Sequence, residues 1–172
     1  MTVPAGNVGR RCVDTRLGYD SPVAVLGICV VTGGGAPKLQ GVIADGTFDD
    51  PAIVESFEVR TNSQEASEQA VDLARLLLAK LPGLSFSAAA IRIAGTPPVA
   101  RRNKAAFSRA HAEGAVLYVV REHLKVPVAT GDPKALAKAS GVPYAELEAR
   151  TSDLPKSKVD ATLAALSQLP KT

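Results

Sequence analysis

The pattern of apolar and polar residues predicts alternating strands and helices along most of the chain. Residues 23–31 form a near-continuous apolar run, whose length and β-branched content are typical of a strand buried on both faces. Shorter apolar or alternating runs, bounded by Gly, Pro and Asp, predict four more strands. The predicted strands cover residues 23–31, 38–48, 55–60, 88–94 and 126–130.

Apolar residues at helical spacing predict the helices between and after these strands. Asn62 and Glu65 have the spacing of a capping box at the start of the first helix, which stops at residues 82–83. Asp132 is a good N-cap for a short helix, and Gly141 provides its stop. The other helices are predicted at residues 104–124, 144–150 and about 157–168.

The order of these elements predicts an α/β fold. Three consecutive strands pair antiparallel through short turns, whereas strands separated by helices are added in parallel by right-handed crossovers. We therefore expect a mixed five-stranded sheet with helices on both faces. A length of 172 residues suits one core. Residues 1–21 show no period and are predicted to form a flexible arm, followed by a single domain at residues 22–172.

Composition and charge narrow the function classes. Two cysteines, Cys12 and Cys29, are too few for a disulfide framework or a zinc site. The sequence has no signal-peptide pattern and no apolar run of membrane-spanning length, so we expect a cytoplasmic protein. Residues 39–91 contain eight acidic and three basic residues, whereas residues 92–125 contain two acidic and seven basic residues. This split indicates either a face that binds polyanions or a solvated surface without special function.

Four segments carry a family resemblance. Residues 25–29, VLGIC, resemble the first strand of the RuvC family of Holliday-junction resolvases, in which an LGID pattern supplies an aspartate. Residues 90–92, AIR, and the Ala- and Gly-rich segment at 103–119 resemble the AIE strand of that family and the helix after it. Residues 126–141 resemble its LPV…P…VK…G segment, and residues 157–165 its terminal DAADALA helix. The resemblance covers nearly the whole chain after residue 22 and implies an RNase H-like fold.

The resemblance also shows where this chain departs from the family. RuvC chemistry needs four carboxylates to hold two divalent metals. The four family positions match Cys29, Arg92, Ser157 and Asp160, so only Asp160 is still acidic. Arg92 places a fixed cation where a metal ligand would stand. This implies a degenerate member, a pseudonuclease with no catalytic residue, no metal site and no cofactor, in which Arg92 either pairs with Asp160 or points into solvent.

Two other kinds of chemistry, a thiol nucleophile and a relocated metal site, are alternatives. Cys29 is a potential nucleophile, but a cysteine in a buried central strand is more often a small hydrophobic residue. An active, Mg²⁺-dependent nuclease would need carboxylates from other positions, such as Asp45 and Glu55 together with Asp160. Asp45, Asp49, Asp50 and Glu55 are otherwise explained as loop and turn residues.

Binding residues are expected in the basic segment. Arg101, Arg102, Lys104 and Arg109 are candidates for contacts with nucleic-acid phosphates, the alternative being a solvated loop and helix face. In the RuvC family this region lies beside the junction-binding cleft and the dimer interface, so the resemblance implies a homodimer. The small residues of the 104–124 segment would also allow another element to approach closely.

Three functions remain open on this basis. The leading hypothesis is a non-catalytic RuvC-like protein that binds branched or duplex nucleic acid, or that serves as a dimeric module binding a protein partner. The second is a metal-dependent Holliday-junction endonuclease with relocated carboxylates. The third is a structural subunit of a larger assembly without a nucleic-acid role.

Overall fold

The computed structural model describes residues 23–32, 35–95 and 104–171. The predicted arm at residues 1–21 lies outside these ranges, as do Cys12, Arg101 and Arg102. The arm and the domain boundary at residue 22 therefore stay predictions.

The described residues form one mixed sheet with the strand order β3-β2-β1-β4-β5. Strand β1 is antiparallel to β2, which is antiparallel to β3, whereas β1 and β4, and β4 and β5, are parallel. This is the predicted arrangement of three antiparallel strands followed by parallel ones. The strands are β1 (Val25–Val31), β2 (Lys38–Gly46), β3 (Pro51–Arg60), β4 (Ala88–Arg92) and β5 (Ala129–Gly131).

Two strands begin at residues other than those predicted, and a proline is involved in each case. Strand β3 begins at Pro51, although a break was predicted there and a strand only from residue 55. Because β3 is an edge strand, a proline at its first residue removes no hydrogen bond that the ladder requires. Strand β5 begins at Ala129 rather than at residue 126, because Pro127 has no N–H to donate.

The helices lie where the apolar pattern predicts them, and they are α1 (Ala66–Lys80), α2 (Lys104–Leu124), α3 (Pro133–Ser140), α4 (Tyr144–Ala149) and α5 (Lys156–Leu166). A 3₁₀ turn, Leu81–Gly83, follows α1. Asp132 caps α3 through a hydrogen bond from the Ala135 N–H, and Gly141 ends it in the left-handed conformation with φ 67°. Both features were predicted.

The predicted capping box of α1 is wrong. Glu65 occupies the N-cap position without a side-chain hydrogen bond, and the helix begins at Ala66. The Thr61 hydroxyl accepts from the Ser63 N–H, and the Ser63 hydroxyl accepts from the Glu65 N–H. These local hydroxyl–backbone bonds satisfy the backbone donors before the helix starts, so Asn62 is not needed as a cap.

Helices cover both faces of the sheet, as expected. Alternate residues of β1 point to opposite sides, with Leu26, Ile28 and Val30 in a core with α1 and α2. The opposite face of β1 packs on α5, where Cys29 lies against Ala161. Both faces are buried, which explains the continuous apolar run. Among the described residues, no helix combines the length and apolar character required to cross a membrane.

Candidate functional site

A row of four polar or ionisable side chains crosses the sheet on the face that carries α5. Cys29 pairs with Gln40 of β2 on one side and with Arg92 of β4 on the other. Gln40 in turn pairs with Glu58 of β3. Residues directly opposite in neighbouring strands project from the same face of a sheet. The order across the sheet is therefore Glu58, Gln40, Cys29 and Arg92, at the end of β1 and β4 where their chains leave the sheet.

Helix α5 places Asp160 over one half of this row. The Asp160 Oδ2 atom lies 3.5 Å from Arg92 Nε and 3.7 Å from Cys29 Sγ. The Arg92 side chain is 21% exposed and that of Asp160 is 37% exposed. The predicted pairing of Arg92 with Asp160 is thus present, and Arg92 does not point freely into solvent. Within the described part of the chain the buried Arg92 Nε has no hydrogen-bond acceptor, so the contact is an ion pair without hydrogen-bond geometry.

The thiol of Cys29 is unsuited to act as a nucleophile. Cys29 is 1% exposed and packs with Val42 and Ala161. Burial, followed by the negative charge of Asp160, raises the pKa of the Cys29 thiol to about 12. Nucleophilic attack requires the thiolate, which is scarce at neutral pH when the pKa is this high. Cys29 therefore has the role of a small core residue, as its place in a buried strand indicated.

The other half of the row is a cluster of charges around Glu58, which the sequence analysis did not single out. Lys38 Nζ lies 2.9 Å from Glu58 Oε2, and the side chains of Gln40 and Arg60 also donate to this carboxylate. The hydrogen bond from Lys38, followed by that from Arg60, holds the pKa of Glu58 below its ordinary value. The available signal was the alternation of polar residues at 38, 40, 58 and 60 in two adjoining predicted strands.

A shallow groove of about 300 Å³ connects this cluster with the start of α5. Lys158 Nζ donates to Ser56 Oγ at 2.9 Å across the groove, and Ser157 lines its wall. The groove exists because α5 packs on β1, β2 and β4, whereas β3 extends beyond it. Ser56, Glu58 and Arg60 therefore remain exposed on the face of β3 that α5 leaves uncovered.

Arg109 lies on α2 and takes part in a contact with the segment that follows β4. Its Nε atom lies 2.8 Å from Glu113 Oε1, which also accepts from the Ala94 N–H at 3.1 Å. This contact ties α2 to the chain just after β4. Helix α2 begins at Lys104, and Arg101 and Arg102 lie outside the described residues.

Comparison with solved structures identifies the architecture. A Thermus thermophilus RuvC in complex with a Holliday junction substrate matches with a TM-score of 0.59 and 22% sequence identity, over 84% of this chain and 91% of that chain. A second Thermus thermophilus RuvC structure matches with a TM-score of 0.60 and 21% identity, over 84% and 92%. The chain has the RuvC-type, RNase H-like fold. The fold expected from the sequence resemblance is therefore confirmed. No protein-family model and no curated protein matches the sequence.

In this RuvC-like fold, three of the four positions implied by the resemblance come together. Cys29 and Arg92 are cross-strand neighbours, and Asp160 lies against both. Ser157 lies three residues before Asp160, and therefore on the same side of α5, but it faces the groove. The fold thus keeps the convergence of β1, β4 and α5 while the side chains at the point of convergence differ in chemistry.

These residues do not fit a pair of divalent metals. Mg²⁺ and Mn²⁺ require several oxygen ligands, and Asp160 is the one carboxylate among the four positions. A dication beside Asp160 would also lie close to the Arg92 guanidinium, at a cost on the order of several kcal/mol for charges ~4 Å apart. Among residues 23–32, 35–95 and 104–171, no group of three or more His, Cys, Asp or Glu side chains is arranged to hold a metal.

The carboxylates named for the alternative nuclease hypothesis do not lie together in the structure. Glu55 Oε1 pairs with Lys80 of α1 at 3.5 Å, on the face opposite to α5. Asp45 accepts from the Gly46 N–H at the far end of β2, roughly 16 Å along the strand from Gln40. The three carboxylates that this hypothesis needs, Asp45, Glu55 and Asp160, are therefore kept apart by the sheet itself.

Proposed function

We propose that this chain is a non-catalytic RuvC-like protein that binds branched or duplex nucleic acid as a homodimer in the cytoplasm. The observation that carries the proposal is the Arg92–Asp160 ion pair, which stands where the fold brings β1, β4 and α5 together. An ion pair at this point neutralises the remaining carboxylate and removes the need for a metal. The surface can then accept a nucleic-acid backbone without hydrolysing it.

The choice of ligand rests on charge and on the fold. Of the two similar RuvC structures, one is bound to a Holliday junction substrate. In this chain, Arg101, Arg102, Lys104 and Arg109 form a basic segment of the sequence between β4 and the first turns of α2. Contacts between such cations and phosphates supply affinity that falls with salt and depends little on sequence. We therefore assign the phosphate contacts to this segment, with Arg109 partly committed to Glu113.

The test combines binding with cleavage. We expect the protein to bind a fluorescently labelled four-way junction, as measured by anisotropy, with an affinity whose logarithm falls steeply with the logarithm of salt concentration. The double substitution Arg101→Ala and Arg102→Ala is expected to weaken binding about tenfold and to reduce the salt slope by about two. The junction should stay intact in Mg²⁺ or Mn²⁺, as followed on a denaturing gel.

Other outcomes of these experiments would contradict the proposal or part of it. Strong nicking that stops when EDTA is added would show that the protein is a nuclease. Binding that is unchanged in the Arg101 and Arg102 variant would exclude the basic loop as the contact surface. No binding to junction or duplex at low salt would leave the role of a structural subunit or protein-interaction module.

The homodimer is assigned to α2. Phe107 and Tyr118 are 53% and 68% exposed, and Gly114 lies between them on the same side of the helix. Exposed aromatic side chains at helical spacing are typical of a surface that packs on another protein. We expect a mass of about 36 kDa by light scattering, twice the 17.8 kDa of the chain. Tyr118→Glu should reduce it to that of a monomer.

Val54 offers a matched control for this substitution. It is 63% exposed on edge strand β3, away from α2, so Val54→Glu places the same charge on an apolar surface outside the assigned interface. The Val54 variant should remain a dimer. A wild-type protein that is monomeric at high concentration would contradict the dimer and leave nucleic-acid binding to a single chain.

A further inference from the structure

The cluster around Glu58 has more positive than negative charge and an open approach. Lys38 and Arg60 pair with the carboxylate of Glu58, and Lys158 lines the same groove between β3 and α5. The side chains of Lys38 and Arg60 are 34% and 71% exposed. These cations are therefore held near one another while retaining contact with solvent.

The hydrogen bonds to Glu58 resemble those that a bound anion receives from a protein. Glu58 receives hydrogen bonds from three different side chains, those of Lys38, Gln40 and Arg60. A phosphodiester group also presents several oxygen acceptors around one centre of negative charge, and charge-assisted hydrogen bonds from Arg and Lys are its usual partners. The carboxylate of Glu58 thus receives, in the free protein, the kind of hydrogen bonds that a phosphate would receive.

The distance from this cluster to Arg92 is comparable with the dimensions of a DNA duplex. Glu58 lies on β3 and Arg92 on β4, three strand spacings apart in the row, which corresponds to about 14 Å. This separation is comparable with the ~12 Å width of the major groove of B-DNA. A duplex passing the end of the sheet at which the row lies would therefore bring phosphates of its two strands near Glu58 and near Arg92.

We propose that Lys38, Arg60 and Lys158 form a second phosphate-binding site for the nucleic-acid backbone, separate from the basic segment, and that Glu58 holds Lys38 and Arg60 in place until a phosphate displaces it. This inference rests on the proposed nucleic-acid binding. It adds the prediction that an acidic residue inside the site weakens binding, because Glu58 competes with the phosphate for the same donors.

Substitutions of opposite charge give opposite expected results. Arg60→Ala combined with Lys158→Ala should weaken binding to a labelled linear duplex about tenfold and reduce the salt slope by about two. Glu58→Gln keeps the shape of the side chain but removes its charge, and we expect about threefold tighter binding with a steeper salt slope. Anisotropy titrations at several salt concentrations measure both quantities, and circular dichroism verifies that each variant is folded.

Lys125→Ala is the matched control. Lys125 follows the C-terminal end of α2 and precedes β5, so it lies at the end of the parallel strands opposite to the row, and its side chain is 70% exposed. Its loss removes one positive charge from the protein but none from the proposed site, so binding should change less than twofold. An equal loss of affinity in the Lys125 variant would overturn the site, because the effect would then reflect net charge.

The results separate this inference from the proposed function. Wild-type binding that weakens in the Arg101 and Arg102 variant, but is unchanged in the Arg60, Lys158 and Glu58 variants, would overturn the second site and leave the proposed function standing. No binding by the wild type would overturn both. Tighter binding by Glu58→Gln, together with weaker binding by the Arg60 and Lys158 variant, would support both.

Discussion

Gly27→Ala is expected to lower the free energy of unfolding by about 3 kcal/mol or more, through the addition of a single methyl group. A Cβ atom at residue 27 would overlap the carbonyl oxygen of Ala161 and would lie 2.5 Å from the backbone N of Ala165 and 2.8 Å from its Cβ. Both of these residues belong to α5. Since backbone atoms of a packed helix cannot rotate away as a side chain would, the helix has to move off the sheet.

Thermal unfolding measures this effect. For a domain of this size, a loss of 3 kcal/mol corresponds to a fall in melting temperature of roughly 6–12 °C. The matched control is Gly83→Ala, because a Cβ at Gly83 meets no atom within 4 Å and its φ lies outside the left-handed region. That variant should be neutral or slightly stabilised. Similar melting temperatures for the two variants would contradict the close packing of α5 on β1.

Most of the fold could be predicted from local patterns in the sequence. The continuous apolar run at residues 23–31 indicated a strand buried on both faces, and the apolar spacing of residues 104–124 predicted α2 with its observed bounds. These are local patterns, and each follows from the burial of one strand or one helix face. The strand order followed from connection rules that allow few arrangements.

The Glu58 cluster could not be predicted in the same way, because it depends on register. A shift of one residue between β2 and β3 would move Lys38 and Gln40 to the other face relative to Glu58 and Arg60. The observed register places the Phe57 ring over Gly41, where a Cβ would collide with it. An aromatic ring over a cross-strand glycine is a tertiary contact that composition and periodicity do not reveal. The Arg92–Asp160 pair was predictable because the family resemblance indicated that these two positions lie together in the fold.

The two halves of the row also differ in their net charge and in the burial of their charged groups. Arg92 and Asp160 are partly buried and neutralise each other, so removing one partner leaves an uncompensated charge with limited access to water. The cations around Glu58 are more exposed and exceed the single carboxylate. The first half therefore ties α5 to the sheet through an ion pair, and the second half is suited to attract an anion.

Acidic side chains at all four positions should convert the first half into a metal site. We expect the triple variant Cys29→Asp, Arg92→Glu and Ser157→Asp to be less stable than the wild type without divalent metal, because three carboxylates then converge and a fourth lies one turn away on α5. Addition of Mn²⁺ or Mg²⁺ at about a hundredfold its dissociation constant should add about 2.7 kcal/mol. This corresponds to a rise in melting temperature of roughly 5–10 °C, measured by thermal unfolding with and without metal.

The wild type and the single variant Arg92→Glu are the controls that make this result specific. The wild type has one carboxylate and a guanidinium at these positions, so the same metal concentration should leave its melting temperature unchanged. Arg92→Glu has two carboxylates and should respond only weakly, because hard dications need several oxygen ligands. If the triple variant does not fold, Arg92→Glu with Ser157→Asp keeps the buried Cys29 and still supplies three carboxylates. A wild type stabilised by metal as strongly as the triple variant would contradict the ion pair as the replacement for the metal site, because the native residues would then already supply the required ligands.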